Sequence, residues 1–319
     1  MPPEEGVWFP RARLAALSGV GLLLLAFLSL VGGNSTPTDS STEGERSAVQ
    51  APGFPDLSLE ARAAYVFDVD TGRVLFSLNS DAQLPLASLT KLMTAAVASD
   101  LLPDAAVVTI DDAALLTEGD SGLGSAERWS AKDLTAFTLM VSSNDGAQAL
   151  SLLAGKRKKN EEGLFESDEG AFVRAMNEKA ESLGLQQTYF LNGTGLDSSL
   201  AVAGGYGSAH DVAFLFSHLL REIPGALGAT RHASLSFFSL DNVLHTATNT
   251  SDSLEELPGL IAAKTGFTDL AGGNLVIAFD AGLNHPIVAV VLGSTEEGRL
   301  RDIRKLVEFV GVSLRLQTE

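Results

Sequence analysis

Ser88 and Lys91 stand three positions apart in the run Leu86-Ala-Ser-Leu-Thr-Lys-Leu-Met-Thr-Ala-Ala-Val-Ala98, whose other residues are almost all apolar helix formers. On a helix this spacing puts the hydroxyl and the amine on one face, one turn apart, near the N-terminal end that Pro85 is suited to open. A serine hydroxyl is a weak nucleophile until a neighbouring base takes its proton. A lysine serves as that base only when burial or a second cation depresses its pKa. A helix apolar on nearly every side is a buried one, so the stretch reads as an activated serine. Two more polar sites follow: Ser142-Ser-Asn144, which interrupts two apolar helical runs, and Lys264-Thr-Gly266-Phe267, which ends a strand-like run. Taken singly, each of the three has a plainer reading, as a chance Ser-x-x-Lys match, a helix cap and a strand end.

Taken together and in this order, the three match the motif set of penicillin-binding proteins and serine β-lactamases. A coherent division of labour follows. Ser88 attacks an amide carbonyl, and Lys91, held neutral by burial and by a nearby positive Lys264, accepts its proton. Ser142 relays that proton to the leaving amine, while Asn144 orients Lys91 and hydrogen-bonds the substrate backbone. Lys264 and Thr265 receive a terminal carboxylate. Gly266 lets the strand approach closely, so that the N–H groups of Ser88 and Phe267 converge on the developing oxyanion.

The elements that must hold these residues are legible as a pattern. Ala64 to Leu78 is two β-rich runs split by Asp70-Thr-Gly72, a hairpin signal, and it leads into the Ser88 helix. Ala105 to Ile110 reads as a short strand, and Glu118 to Arg128 as a loop. Ser130 caps a helix that carries Leu134 to Val141, and a second helix begins near Gln148. The mixed-charge stretch from Lys156 through Glu169 reads as a solvated loop. Phe172 to Leu183 is an amphipathic helix capped by Gly184, Asn192 to Asp197 a turn-rich loop, and Ser208 the cap of a helix that ends near Glu222. Ile261 to Phe267, Asn274 to Phe279 and Pro286 to Leu292 read as strands, and Glu296 to Leu314 as a closing amphipathic helix.

The chain has 319 residues, 45% of them hydrophobic, enough for one large domain or two intimately packed subdomains. A formal charge of -18 argues against nucleic acid as a partner, which needs a basic face. With no cysteine, disulfides, thiolate metal sites and cysteine nucleophiles are excluded. The five histidines show no metal-ligand spacing, and His210 and His218 read as surface or packing residues. No metal and no cofactor is expected. Residues 1–33 carry Arg11 and Arg13 before an uncharged, mostly apolar run from Leu14 to Val31. This is expected to be a membrane anchor or signal, with the arginines inside and the remainder outside. Residues 34–56, rich in Ser, Thr, Gly and Pro, are expected to be a flexible linker, and 57–319 the catalytic domain.

The stretch from Ala64 to Val310 resembles the D-alanyl-D-alanine carboxypeptidases of peptidase family S11, the low-molecular-mass penicillin-binding proteins. The resemblance rests on Ala64-Tyr-Val-Phe-Asp-Val-Asp-Thr-Gly-Arg-Val-Leu75 before Ala87-Ser-Leu-Thr-Lys-Leu-Met-Thr94, on Phe172 through Asp197, and on Lys264-Thr-Gly-Phe-Thr-Asp-Leu-Ala-Gly-Gly-Asn-Leu-Val276. It implies an α+β fold, an antiparallel five-stranded sheet flanked by helices plus a mostly helical subdomain, with Ser88 at their junction. It also implies hydrolysis of the terminal D-alanine of peptidoglycan stem peptides, covalent inhibition by β-lactams, and Phe267 where the family often has His or Tyr. The resemblance also implies a basic residue upstream of the Lys-Thr-Gly strand to hold the substrate carboxylate, whereas here that region reads His245-Thr-Ala-Thr-Asn-Thr250. If membrane attachment is kept, the N-terminal segment supplies it. Two alternatives stay open at this point. One is a serine β-lactamase whose deacylating base is Glu161, Glu162, Glu166 or Glu169. The other is an idle peptidoglycan-binding homologue.

Overall fold

The computed structural model describes residues 48–49, 57–163, 165–251, 254, 256–282 and 284–316. Five runs rich in β-branched and aromatic residues form strands: β1 (Ala63–Asp68), β2 (Val74–Leu78), β3 (Leu260–Thr268), β4 (Gly272–Asp280) and β5 (Pro286–Ser294). They pair antiparallel in the order β2-β1-β5-β4-β3. A two-residue strand, Ala48–Val49, extends the sheet beyond β2 and falls within the stretch expected to be linker. The longer helices are α1 (Thr90–Leu101), α2 (Ala131–Val141), α3 (Asn144–Glu162), α4 (Asp168–Ser182), α5 (Ala209–Glu222) and α6 (Gly298–Leu316), of which α5 and α6 pack directly on the sheet and α3 and α4 pack on α1 and on each other.

Strand side chains alternate between faces, and here both faces are buried. Tyr65 and Phe67 of β1 and Val288, Val290 and Leu292 of β5 enter one core, shared with Leu92 and Met93 of α1 and Phe216 of α5. Val66, Ile287, Ala289 and Val291 enter a second, closed by Ile303, Leu306 and Val310 of α6. Helix α1 is buried on every residue from Thr90 to Ala98, as its apolar composition requires. It therefore lies between the sheet and the helical part of the molecule, and its N-terminal end is where the two meet.

Several expectations are corrected. Pro85 does not open α1; it ends a short strand, Leu84–Pro85, that pairs with Gly205–Gly207. A 3-10 turn, Ala87–Leu89, then carries Ser88 into α1. The charged stretch from Lys156 is no loop as far as Glu162: it is the second half of α3. Its charges are matched at helical spacing, Arg157 with Glu161 at 2.9 Å and Lys158 with Glu162 at 2.7 Å. The stretch is further fixed because α3 and α4 cross very closely, a Cβ on Gly155 falling 1.8 Å from the Asp168 carbonyl oxygen. A hairpin, Ser234–Phe238 with Leu244–Thr248, and a short helix, Pro224–Ala229, occupy a region where the sequence pattern is weak. His210 is a packing residue, its ring 5.2 Å from Tyr65 and 4.6 Å from Phe214. Leu14 to Val31, read as the anchor, lies outside the described residues. Among the described residues no helix is long and apolar enough to cross a membrane.

Candidate active site

The three motifs, drawn from a turn, an inter-helix link and an edge strand, meet at the N-terminal end of α1. Lys91 Nζ lies 2.9 Å from Ser88 Oγ, 2.6 Å from Asn144 Oδ1 and 2.7 Å from the Thr194 carbonyl oxygen. Burial pushes the Lys91 amine down to about 7, and Lys91 in turn is one of the charges that hold Lys264 down. A neutral amine has two N–H donors and one lone pair. Asn144 and Thr194 offer only carbonyl acceptors, so they take the two N–H groups and leave the lone pair facing the Ser88 hydroxyl.

The link between α2 and α3 places the second serine. Ser142 ends α2 in the left-handed region, φ 61°, and Ser143 caps α3 by accepting the Gly146 N–H. Gly146 packs so closely that an added Cβ would fall 2.2 Å from Thr138 Oγ1, which holds the two helices in register. Lys264 Nζ donates to Ser142 Oγ and to the Thr265 carbonyl, both at 2.8 Å. Its pKa is held well below the usual lysine range by burial first, then by Lys91 and Arg299. Ala87, immediately before the other serine, also has a positive φ, 49°. Left-handed backbone at residues other than glycine costs about 1–3 kcal/mol and clusters at functional sites.

Gly266 shows why the strand needs a glycine. A Cβ there would stand 2.9 Å from the Leu86 carbonyl oxygen and 3.2 Å from the Ser88 nitrogen. The β3 backbone thus lies directly against the turn that carries Ser88, and Phe267 follows it. Ser88, Ser142, Thr250, Thr265, Gly266, Phe267, Glu296 and Arg299 line a cleft of about 370 Å³. Thr265 is fixed by a 2.7 Å hydrogen bond between its hydroxyl and that of Thr250. Of the predicted site residues Ser88, Lys91, Ser142, Asn144, Lys264, Thr265, Gly266 and Phe267, all converge. Lys264, however, is only 1% exposed and does not line the cleft. It reaches Ser142 instead of standing open to a carboxylate.

Two contributors were missed in the sequence. The Thr194 carbonyl, which holds Lys91, is presented by a loop gathered on Asn192 Oδ1, which accepts from Thr194 N, Thr194 Oγ1 and Gly195 N. Its signal is the glycine pair: Gly195 has φ +81°, and a Cβ on it would fall 2.0 Å from the Ala87 carbonyl oxygen. The second is Arg299 of α6, for which the linear sequence carries no signal. The candidate deacylating glutamates lie elsewhere: Glu162 and Glu166 pair with Arg174, and Glu161 with Arg157. None of the four lines the cleft.

An antiparallel sheet between helices, with a Ser/Lys pair at the head of the central helix, is the architecture of penicillin-interacting serine acyl-transferases. Residues 46–296 match the family described as D-alanyl-D-alanine carboxypeptidase, peptidase family S11, and the chain belongs to that family. It is 27% identical over 314 residues to D-alanyl-D-alanine carboxypeptidase DacF of Bacillus subtilis, covering 93% of this chain and 70% of that one. It is 29% identical over 270 residues to DacA of Escherichia coli, covering 81% of this chain and 62% of that one. The chain therefore spans 62 to 70% of the length of these relatives. Among solved structures, penicillin-binding protein D2 of Listeria monocytogenes in its ampicillin-bound form superposes with a TM-score of 0.65 at 29% identity, over 80% of this chain and 99% of that one.

Proposed function

We propose that this chain is a serine D-alanyl-D-alanine carboxypeptidase that trims peptidoglycan stem peptides and is acylated by β-lactams. Lys91, as neutral amine, takes the Ser88 proton as Oγ adds to the carbonyl carbon of the penultimate D-alanine. The N–H groups of Ser88 and Phe267 receive the oxyanion, whose strongest interactions form only as charge develops. As the C–N bond breaks, Ser142 relays the proton to the leaving nitrogen, and D-alanine departs as its amine. Water then adds to the Ser88 ester with Lys91 as base, returning the serine hydroxyl and a peptide shortened by one residue. Asn144 keeps Lys91 aimed and presents an amide to the peptide backbone. Phe267 is also shared with a second cavity of about 570 Å³, lined by Glu118, Leu196 and Asp197 among others, which has room for the acyl side of a peptide.

The observation that carries this reading is the Lys91–Ser88 contact of 2.9 Å at a fully buried amine near neutrality. The reading extends to location. Arg11, Arg13 and the apolar run to Val31 support a domain held outside the cytoplasmic membrane by its N-terminal segment. The test is an intact-mass time course of the full chain with a penicillin, run beside D-alanine release from an acyl-peptide ending in D-Ala-D-Ala. A long-lived adduct on Ser88 and D-alanine release, both lost in Ser88→Ala, are expected. Persistence of either in that variant overturns the assignment, and a fleeting adduct with rapid drug loss replaces it with the β-lactamase.

A further inference from the structure

The mechanism requires Asn144 to show Lys91 the carbonyl end of its side chain and not the amine end. With Oδ1 turned to Nζ, Asn144 accepts an N–H and leaves the Lys91 lone pair on Ser88. Turned over, the same side chain would donate to that lone pair and silence the base. The two ends have nearly the same shape, so packing does not choose between them and a hydrogen-bond partner on the far side must. That partner is a backbone carbonyl: Glu118 O accepts from Asn144 Nδ2 at 2.7 Å, and a carbonyl can only face the donor end. The second N–H of Nδ2 stays available to the substrate.

Glu118 belongs to an exposed loop, so the place of its carbonyl has to be imposed. Gly119 follows it with φ +95°, and a Cβ there would stand 3.3 Å from Asn144 Nδ2. Two residues further on, Ser121 ties the loop to the start of α3. Its Oγ donates to Asp145 Oδ2 at 2.8 Å, its N–H meets the same oxygen at 3.3 Å, and its Oγ lies 2.6 Å from Ser143 Oγ. A carboxylate only accepts, so the Ser121 proton goes to Asp145 and Ser143 donates to Ser121. Ser143 and Asp145 are both 2% exposed and stand on either side of Asn144 in the chain. The clamp therefore grips the loop at the residues that flank the amide it orients.

We propose that Ser121 is a positioning residue for the base: through Ser143 and Asp145 it holds the Glu118 carbonyl against Asn144, and so fixes which end of that amide Lys91 meets. This rests on the serine acyl-transfer reading and deepens it by naming what keeps the Lys91 lone pair free for Ser88. Ser121 does not line the cleft and acts only through Glu118 and Asn144. The groups that face Nζ are Ser88, Asn144 and the Thr194 carbonyl, and Lys264 is the neighbouring charge that senses it. Of these, the Asn144 amide alone can change from acceptor to donor by turning over.

The experiment measures the rate of penicillin acylation against pH in the full chain, for wild type, Ser121→Ala, Ser121→Thr, Asn144→Ala and the variant carrying both alanines. In Ser121→Ala the amide turns over in part of the molecules, and the plateau rate falls about 3- to 10-fold, the worth of one neutral hydrogen bond. The midpoint, about 7 in wild type, moves to lower pH, because an N–H facing Nζ disfavours the ammonium form. Mere loosening of the loop moves it the other way, since water reaching Nζ relieves the burial that depresses the amine. Ser121→Thr keeps the hydroxyl and restores the wild-type profile. With Asn144 already replaced there is no amide left to turn, so the double variant acylates at the rate of Asn144→Ala alone. A midpoint that rises or stays in place in Ser121→Ala, or a full further loss in the double variant, overturns the positioning role and leaves Ser88 acylation standing. A wild type that forms no Ser88 adduct overturns the acyl-transfer reading, and this inference with it.

Discussion

Two regions of the molecule are dense in charge and built on opposite rules. Along the arm formed by α3 and α4, Arg174 contacts Glu162, Glu166 and Glu178, and Lys158 contacts Glu162 and Glu178. Those groups are partly exposed, and each cation has an acid. At the head of α1, Lys91, Lys264 and Arg299 are buried, and among the described residues no carboxylate comes within hydrogen-bond reach of any of them. Exposed pairs contribute little to stability, whereas a buried cation without a counterion is costly unless it is neutralised or awaits an anion. The cost identifies the second region as the one retained for chemistry.

The strongest way to break this contrast is at Lys91. Lys91→Ala leaves Ser88 without its base, and kcat/KM and penicillin acylation should fall by about 10²- to 10⁴-fold, the range for a general base. In the wild type the base form of Lys91 fills as pH rises through about 7, so the acylation rate should rise across that window and level above it. A stopped-flow pH profile of acylation checks this; a rate that falls on raising the pH from 6 to 8 would refute Lys91 as base.

What is legible in the sequence follows the same division. Ser88 and Lys91 are legible because one helical turn separates them, and Lys264-Thr-Gly266 because a strand fixes their alternation. The sheet was readable in Tyr65, Val66 and Phe67, where opposite faces are both apolar. What the sequence hides is convergence over distance: the Thr194 carbonyl reaches Lys91 across 103 positions, and Arg299 reaches Gly266 across 33. Lys156 to Glu162 misleads for another reason. Its charges mimic a solvated loop, while the helix is fixed by Gly155 against the Asp168 backbone, a contact with no local pattern.

A smaller effect sharpens the comparison on the backbone side. Gly266→Ala puts a methyl carbon 2.9 Å from the Leu86 carbonyl oxygen and 3.2 Å from Ser88 N, so β3 must move away from the nucleophile. Both proposed oxyanion donors belong to the surfaces pushed apart, and removing one such donor costs on the order of 10²-fold in kcat. The expected result is a loss of that order in kcat for the free-acid peptide with KM little changed. The stability cost is about 1–3 kcal/mol by thermal or urea unfolding. Full activity would mean that the close approach of β3 is packing alone.

The smallest effect belongs to the arm. Arg174 is the hub of three ion pairs, and the hydrogen bonds it donates to Glu166 first, then to Glu178 and Glu162, raise its pKa against the opposing effect of burial. Its side chain is nevertheless 34% exposed, and water screens what the geometry promises. Removing it takes the shared cation from three carboxylates, of which Glu162 and Glu178 keep Lys158, so the cost should exceed that of one exposed pair without approaching that of a buried charge. Arg174→Ala is expected to lower unfolding stability by about 1 kcal/mol, less at high salt, and to leave the penicillin acylation rate within twofold. Urea melts at low and high ionic strength measure the first and intact-mass kinetics the second. A large fall in acylation would show that the arm and the head of α1 are coupled, and that the paired charges serve the site as well as the fold.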